Sequence, residues 1–194
     1  MITYMSVVFG FKVTGQENVP EAGPVIIVAN HASAFDPIAL GCACPRQISF
    51  MAKAELFDNP VSAALLRGLH AFPVRRGRVD REAYRQSMDI LKAGGVLGMF
   101  PEGTRSATGE LQEAHPGAAR FAIQTGTPVL PAAIVGTIAK HRKGMKRVRE
   151  PLVRVVFGKP VWPKAAGPGR AVREETEKHA GEIMQSISEL MITA

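Results

Sequence analysis

Val25-Ile26-Ile27-Val28-Ala29 is a β-branched apolar run, closed by Pro24 on one side and by Asn30-His31-Ala32-Ser33-Ala34-Phe35-Asp36-Pro37 on the other. Consecutive apolar residues of this length, bounded by turn formers, read as a buried strand. Asp36 before Pro37 predicts a helix N-cap with proline at the first helical position. Strand, short turn and helix therefore follow one another within about a dozen residues.

The same alternation continues outward. Residues 48–52, 71–74 and 96–100 read as strands, and 59–69 as a helix. Asp80 caps a helix reaching about Ala93, with Tyr84, Met88 and Leu91 on one face, and Gly94-Gly95 stops it. Residues 118–124 look helical, and 129–135 and 153–157 extended. A last helix spans about 171–191, where Val172, Thr176, His179, Ile183, Ile187 and Leu190 form a docking stripe. Strands alternating with helices argue for an α/β fold, with a mixed, largely parallel sheet flanked by helices. With no repeat, low-complexity stretch or linker, residues 1–194 are expected to form one domain. Its motif-bearing core covers about 15–137.

The 194 residues suffice for a sizeable core, and 46% hydrophobic against 21% charged residues is ordinary for a globular chain. A net charge of +7 suits an anionic surface or a phosphorylated ligand. Nucleic acid is not expected as a partner, because few aromatics are interleaved with the basic residues. Cys42 and Cys44 are too close to staple a fold and alone are a poor metal signal, so both are read as reduced in an intracellular chain. No apolar run reaches the ~18 residues of a membrane span, and Met1 to Phe11 lacks the marks of a signal peptide. The expectation is a cytoplasmic protein, peripheral on the cytoplasmic face of the membrane. The basic run from Lys140 to Arg149 is a candidate contact with anionic lipid or an acidic carrier protein, or a solvated loop.

Residues five apart on a regular helix point about 140° away from each other. His31 and Asp36 can face one another only if His31 lies in the turn before the helix. Asp36 would then accept from one ring nitrogen and leave the other free to take a proton, a base and its orienter without a serine. A helix cap beside an ordinary turn histidine fits the same residues. The second informative stretch is Phe100-Pro101-Glu102-Gly103-Thr104-Arg105-Ser106. Gly103 permits close backbone approach, Thr104, Ser106 and N–H groups can donate to phosphate oxygens, and Arg105 can grip them with a planar fork. Glu102 is odd beside an anion and is read as orienting Arg105 or a substrate hydroxyl. A polar turn with a solvated arginine is the alternative. A third stretch, Phe72-Pro73-Val74-Arg75-Arg76, ends a strand in arginines.

Together these stretches resemble the glycerolipid acyltransferase family that includes lysophosphatidate (1-acyl-glycerol-3-phosphate) acyltransferases. Asn30, His31 and Asp36 match its N-H-x-x-x-x-D block, and Phe100 to Ser106 match F-P-E-G-T-R-S throughout. Phe72 to Arg76 and Val129-Leu130-Pro131-Ala132 resemble the second and fourth blocks. The resemblance implies a glycerol-3-phosphate acyltransferase-like fold. It also implies transfer of a fatty acyl group from acyl-CoA or acyl carrier protein to the free hydroxyl of a lysophospholipid acceptor, with no other cofactor and no metal. His31 and Asp36 are the implied catalytic pair. Arg76, Glu102, Gly103, Thr104, Arg105 and Ser106 are the expected acceptor-binding residues. Two positions depart from the family pattern: His70 stands where the second block usually opens with glycine, and His115 where a lysine is common. Another lysophospholipid or an aminolipid as acceptor, or an inactive lipid-binding relative, are the competing outcomes.

Overall fold

The computed structural model describes residues 10–75, 77, 80–137, 153–165 and 169–194. The strands are β1 Phe11–Thr14, β2 Val25–Ala29, β3 Ile48–Lys53, β4 Ala71–Val74, β5 Val96–Met99, β6 Val129–Val135 and β7 Val153–Phe157. The helices are α1 Asp36–Ala43, α2 Pro60–Gly68, α3 Arg81–Lys92, α4 Gly117–Thr125 and α5 Arg170–Thr193. A seven-stranded sheet runs in the order β1-β7-β6-β2-β5-β3-β4. Every pairing is parallel except β6 with β7. The α/β architecture with a mixed, mostly parallel sheet is therefore the one the sequence predicts.

β2 takes the central place, with β6 on one side and β5 on the other, and all five of its residues are buried. That burial on both faces is why its sequence is apolar without alternation. Alternate side chains divide between the two layers. Val25, Ile27 and Ala29 join a core with Leu40 of α1 and Phe50 of β3. Ile26 and Val28 join a second core with Leu91 of α3, Phe121 of α4 and Ile187 of α5. The α5 stripe docks as its spacing predicts, with Thr176, His179, Ile183 and Ile187 buried.

Polar side chains bind distant segments. The Asn30 amide donates to the Ile134 carbonyl at 2.9 Å and accepts from the Ile134 N–H at 2.8 Å, so the end of β2 is tied to the end of β6. The Arg46 guanidinium donates to the carbonyls of Pro20, Gly23 and Gly94, joining two loops at the opposite end of the sheet.

Three local expectations change. Asp36 is not the N-cap: Phe35 holds that position and Asp36 is the first helical residue, because its carboxylate turns back toward the preceding turn. The buried face of α3 is Ala83, Ser87 and Leu91, while Tyr84 is exposed. β1 forms at the sheet edge beside β7, in a four-residue segment too short to stand out in the sequence.

Gly98, between β2 and β3, is the tightest point of the central sheet. A Cβ there would stand 2.6 Å from Ile48 Cγ2 and 2.7 Å from Phe50 Cδ1. Gly98→Ala is expected to cost about 1–3 kcal/mol by overpacking. Urea unfolding should show a lower midpoint at unchanged slope. A wild-type midpoint would mean that Phe50 moves aside freely.

Candidate active site

His31 follows Asn30 at the carboxyl end of β2, the end where open α/β sheets hold ligands. Its Nδ1 lies 2.9 Å from Asp36 Oδ2. The same oxygen accepts the backbone N–H groups of Ala32 at 2.6 Å and Ser33 at 2.7 Å. Burial of Asp36 would raise its carboxyl. Hydrogen bonds from His31, Ser33 and Ala32, with the Thr137 hydroxyl close by, outweigh burial and hold it below the usual carboxylate range. An ionised carboxylate can only accept, so Nδ1 carries a hydrogen and the lone pair of the neutral ring resides on Nε2. The His31 side chain keeps 13% of its surface exposed, so it is in reach of a bound molecule. Its ring stacks on Phe100 at 4.2 Å between centroids, and Phe100 in turn stacks on Phe50 at 6.2 Å.

The turn after β5 grips His31 from above. Glu102 Oε1 accepts the His31 N–H at 2.7 Å, and its Oε2 accepts the Gln112 N–H at 3.2 Å. The Ser106 N–H donates to the His31 carbonyl at 2.8 Å. Both main-chain polar groups of the histidine are thus held by one short segment. Glu102 is buried. Burial pushes its carboxyl up, and the two backbone donors only partly oppose this.

The expected acceptor-binding residues fall into two groups. Thr104 and Arg105 are exposed on the turn, and Gly103 has φ +66 with the His115 ring packed against it. Glu102 and Ser106 face inward and hold the histidine, so the role of Glu102 in orienting Arg105 or a hydroxyl is not what its contacts show. The Ser106 hydroxyl accepts from the Gly109 N–H. Arg76 and the 140–149 cluster lie outside the described residues.

Beside the turn opens a cavity of about 480 Å³. Met51, Met99 and Phe121 give it apolar walls, and the exposed Arg75 and Arg120 supply positive charge beside the His115 ring. The sequence reading did not assign Asn30, Phe100 or His115 to the site. A buried asparagine directly after an apolar strand was the available signal for the first.

Glu102→Ala would strip two buried N–H groups of their acceptor. A loss of about 1–3 kcal/mol in stability is expected. In the folded fraction turnover should fall with little change in acceptor KM, because the side chain positions the histidine backbone. A strong rise in KM with unchanged kcat would mean that Glu102 binds the acceptor directly.

Comparison with known proteins agrees with this fold. Residues 10–135 match the family model described as Acyltransferase. The chain is 33% identical to the 1-acyl-sn-glycerol-3-phosphate acyltransferase of Bacillus subtilis, over 78% of this chain and 74% of that one. It is 33% identical to the enzyme of the same name from Borreliella burgdorferi, over 64% of this chain but only 51% of that one. The crystal structure of the 1-acyl-sn-glycerophosphate acyltransferase PlsC from Thermotoga maritima superposes with a TM-score of 0.69 at 30% identity, covering 97% of this chain and 77% of that one. The family match runs from β1 through β6 and takes in His31, Asp36 and the turn that clamps them: the chain belongs to the acyltransferase family.

Proposed function

We propose that this protein transfers a fatty acyl group from an acyl thioester to the free hydroxyl of lysophosphatidate, forming phosphatidate for phospholipid synthesis. One observation carries the reading. A histidine is oriented by a buried carboxylate at 2.9 Å, with Nε2 unpartnered among the described residues, beside an exposed basic turn. Relatives named as 1-acyl-sn-glycerol-3-phosphate acyltransferases support the acceptor.

The chemistry follows from the pair. His31 Nε2 takes the proton of the acceptor hydroxyl as that oxygen attacks the thioester carbonyl. The new C–O ester bond forms and the C–S bond breaks. The proton then passes from the imidazolium to the departing thiolate, which leaves as the thiol. Asp36 stabilises the imidazolium in between and keeps Nδ1–H in place. Thr104, Arg105 and the backbone at Gly103 present donors for the acceptor phosphate, and Arg76 has the chemistry to join them. Acyl-CoA and acyl carrier protein are the two donors of suitable chemistry. No helix among the described residues is long and apolar enough to cross a membrane. A peripheral position on the cytoplasmic leaflet, aided by the net charge of +7, fits a lipid acceptor.

His31→Ala should lower kcat by roughly 10²- to 10⁴-fold or more with the fold retained, since it removes the general base. Circular dichroism and single-turnover assays check this, and near-wild-type turnover by the folded variant would refute the mechanism. An acceptor panel measured on the same protein separates lysophosphatidate from larger lysophospholipids and aminolipids.

Arg105→Ala should raise the acceptor KM strongly, because a charge-assisted hydrogen bond contributes about 1.5–3 kcal/mol. Arg105→Lys should recover only part of this, since an ammonium lacks the planar fork. The donor KM should change much less. Kinetics in which the donor KM rises instead would assign the turn to the donor.

A further inference from the structure

A base that takes a proton on Nε2 gains a positive charge spread over its whole ring. Asp36 meets that charge only at the ring's edge, through Nδ1 at 2.9 Å. The face of the His31 ring rests on Phe100, with 4.2 Å between centroids and 23° between planes. A phenyl ring carries negative potential over its face, and a cation within about 6 Å of its centroid is attracted to it. A neutral imidazole carries no net charge and gains much less. The contact therefore strengthens as the proton arrives, which is the condition for lowering a barrier instead of only tightening the ground state.

The phenyl ring is held in place by the sheet and the turn together. Phe100 directly follows β5, and its carbonyl accepts the Gly103 N–H at 3.1 Å, which closes the turn. Glu102, two residues on, accepts the His31 N–H, so the two stacked rings are also tied through their backbones. Phe50 stacks on Phe100 with planes within 9° of each other. Phe50 is itself buried, over the bare α-carbon of Gly98, where a Cβ would stand 2.7 Å from its Cδ1 and Cε1. Phe100 is half-buried and the His31 side chain is mostly withdrawn from water. A cation held on an aromatic face gains most in such a place, because little water competes for it.

We infer that Phe100 is a positioning residue for acyl transfer: its π face stabilises the imidazolium of His31 as it forms, while the stack keeps Nδ1 directed at Asp36. This rests on the proposed acylation with His31 as base. Two carriers of the new charge then divide the ring between them, a carboxylate at its edge and an aromatic quadrupole beneath its face. An aliphatic side chain of similar bulk would fill the same space without that potential. Phe100 also lines the large cavity, so a change in its size acts on substrate binding as well as on the histidine. Fluorination separates the two effects, since it drains the negative potential from the face and nearly preserves the outline of the ring.

The test places mono-, di- and trifluorophenylalanine at position 100 alone and compares them with the wild type and with Phe100→Leu. Circular dichroism checks the fold, and kcat and both KM values are measured with lysophosphatidate and with acyl-CoA or acyl carrier protein thioester as donor. With each added fluorine kcat should fall, reaching about tenfold for the trifluoro ring, while both KM values stay at the wild-type level. Phe100→Leu, where it folds, should lose at least as much kcat as the trifluoro ring. A kcat that is flat across the fluorine series overturns this inference, because the ring then serves by shape alone. A rise in either KM at constant kcat also overturns it, by assigning the ring to the substrate. Both of these results leave the acylation reading intact. Absence of turnover by the wild type overturns that reading and the inference with it.

Discussion

The site depends on how the chain satisfies one peptide unit where the central strand stops. β2 is buried on both faces, and its ladder partners run out as the chain leaves the sheet. The N–H and C=O of His31 would be orphans there, at a cost comparable to a lost hydrogen bond each. The turn after β5 supplies both missing partners, a carboxylate from Glu102 and an N–H from Ser106. This explains an acid in a segment that otherwise suits an anion. Its carboxylate points into the protein and accepts from two backbone donors, while Arg105, three residues later, is exposed. The same two bonds fix where the histidine stands relative to Thr104 and Arg105, so histidine and turn form one rigid unit.

Electrostatics then set the state of the His31–Asp36 pair. A buried aspartate would be neutral if burial acted alone, and a neutral acid could not support an imidazolium. Three donors converge on Oδ2 of Asp36, and together with Thr137 they reverse that tendency. The geometry requires Asp36 to be the first residue of α1 rather than its cap, since only then does its side chain reach back over residues 31–33. Below the ring, Phe100, Phe50 and the bare α-carbon of Gly98 form a column that continues into the sheet. The imidazole is thus held on its edge by a carboxylate, on its face by an aromatic ring, and through its backbone by the turn.

Much of this was legible in the sequence because the signals are local. The uninterrupted apolar run gave a central strand, Asn59 and Asp80 cap helices as their residue types predict, and Gly94-Gly95 ends one. The spacing of His31 and Asp36 allowed them to meet only across a turn, and they do. Contacts spanning long stretches of chain left no local signature. The Glu102 clamp joins residues 71 apart, and the Asn30 tie to β6 joins residues 104 apart. Composition could say that these side chains were polar, but not that they were spent on backbone. His70 is intermediate between the two cases. It stands where the second block usually opens with glycine, and it is the only non-glycine among the described residues with positive φ, at 54°. The backbone demand that favours glycine persists here although the residue has changed, and a histidine tolerates that region better than a β-branched side chain would.

The division of side chains across the sheet also constrains how an acceptor can lie. His31 and the Phe100 ring belong with the layer formed by α1, whereas the walls of the large cavity, Met51, Met99, Ala83 and Phe121, belong with the layer formed by α3 and α4. The turn that begins at Phe100 borders both, since Phe100, Pro101 and Gly103 also line the cavity. A molecule that enters the cavity and also reaches His31 must therefore pass that turn, where Gly103 carries no side chain. A side chain there would collide with His115 and stand in the crossing as well. Under the proposed acylation, the bare backbone at Gly103 is what leaves room for an acceptor to reach from the cavity to His31.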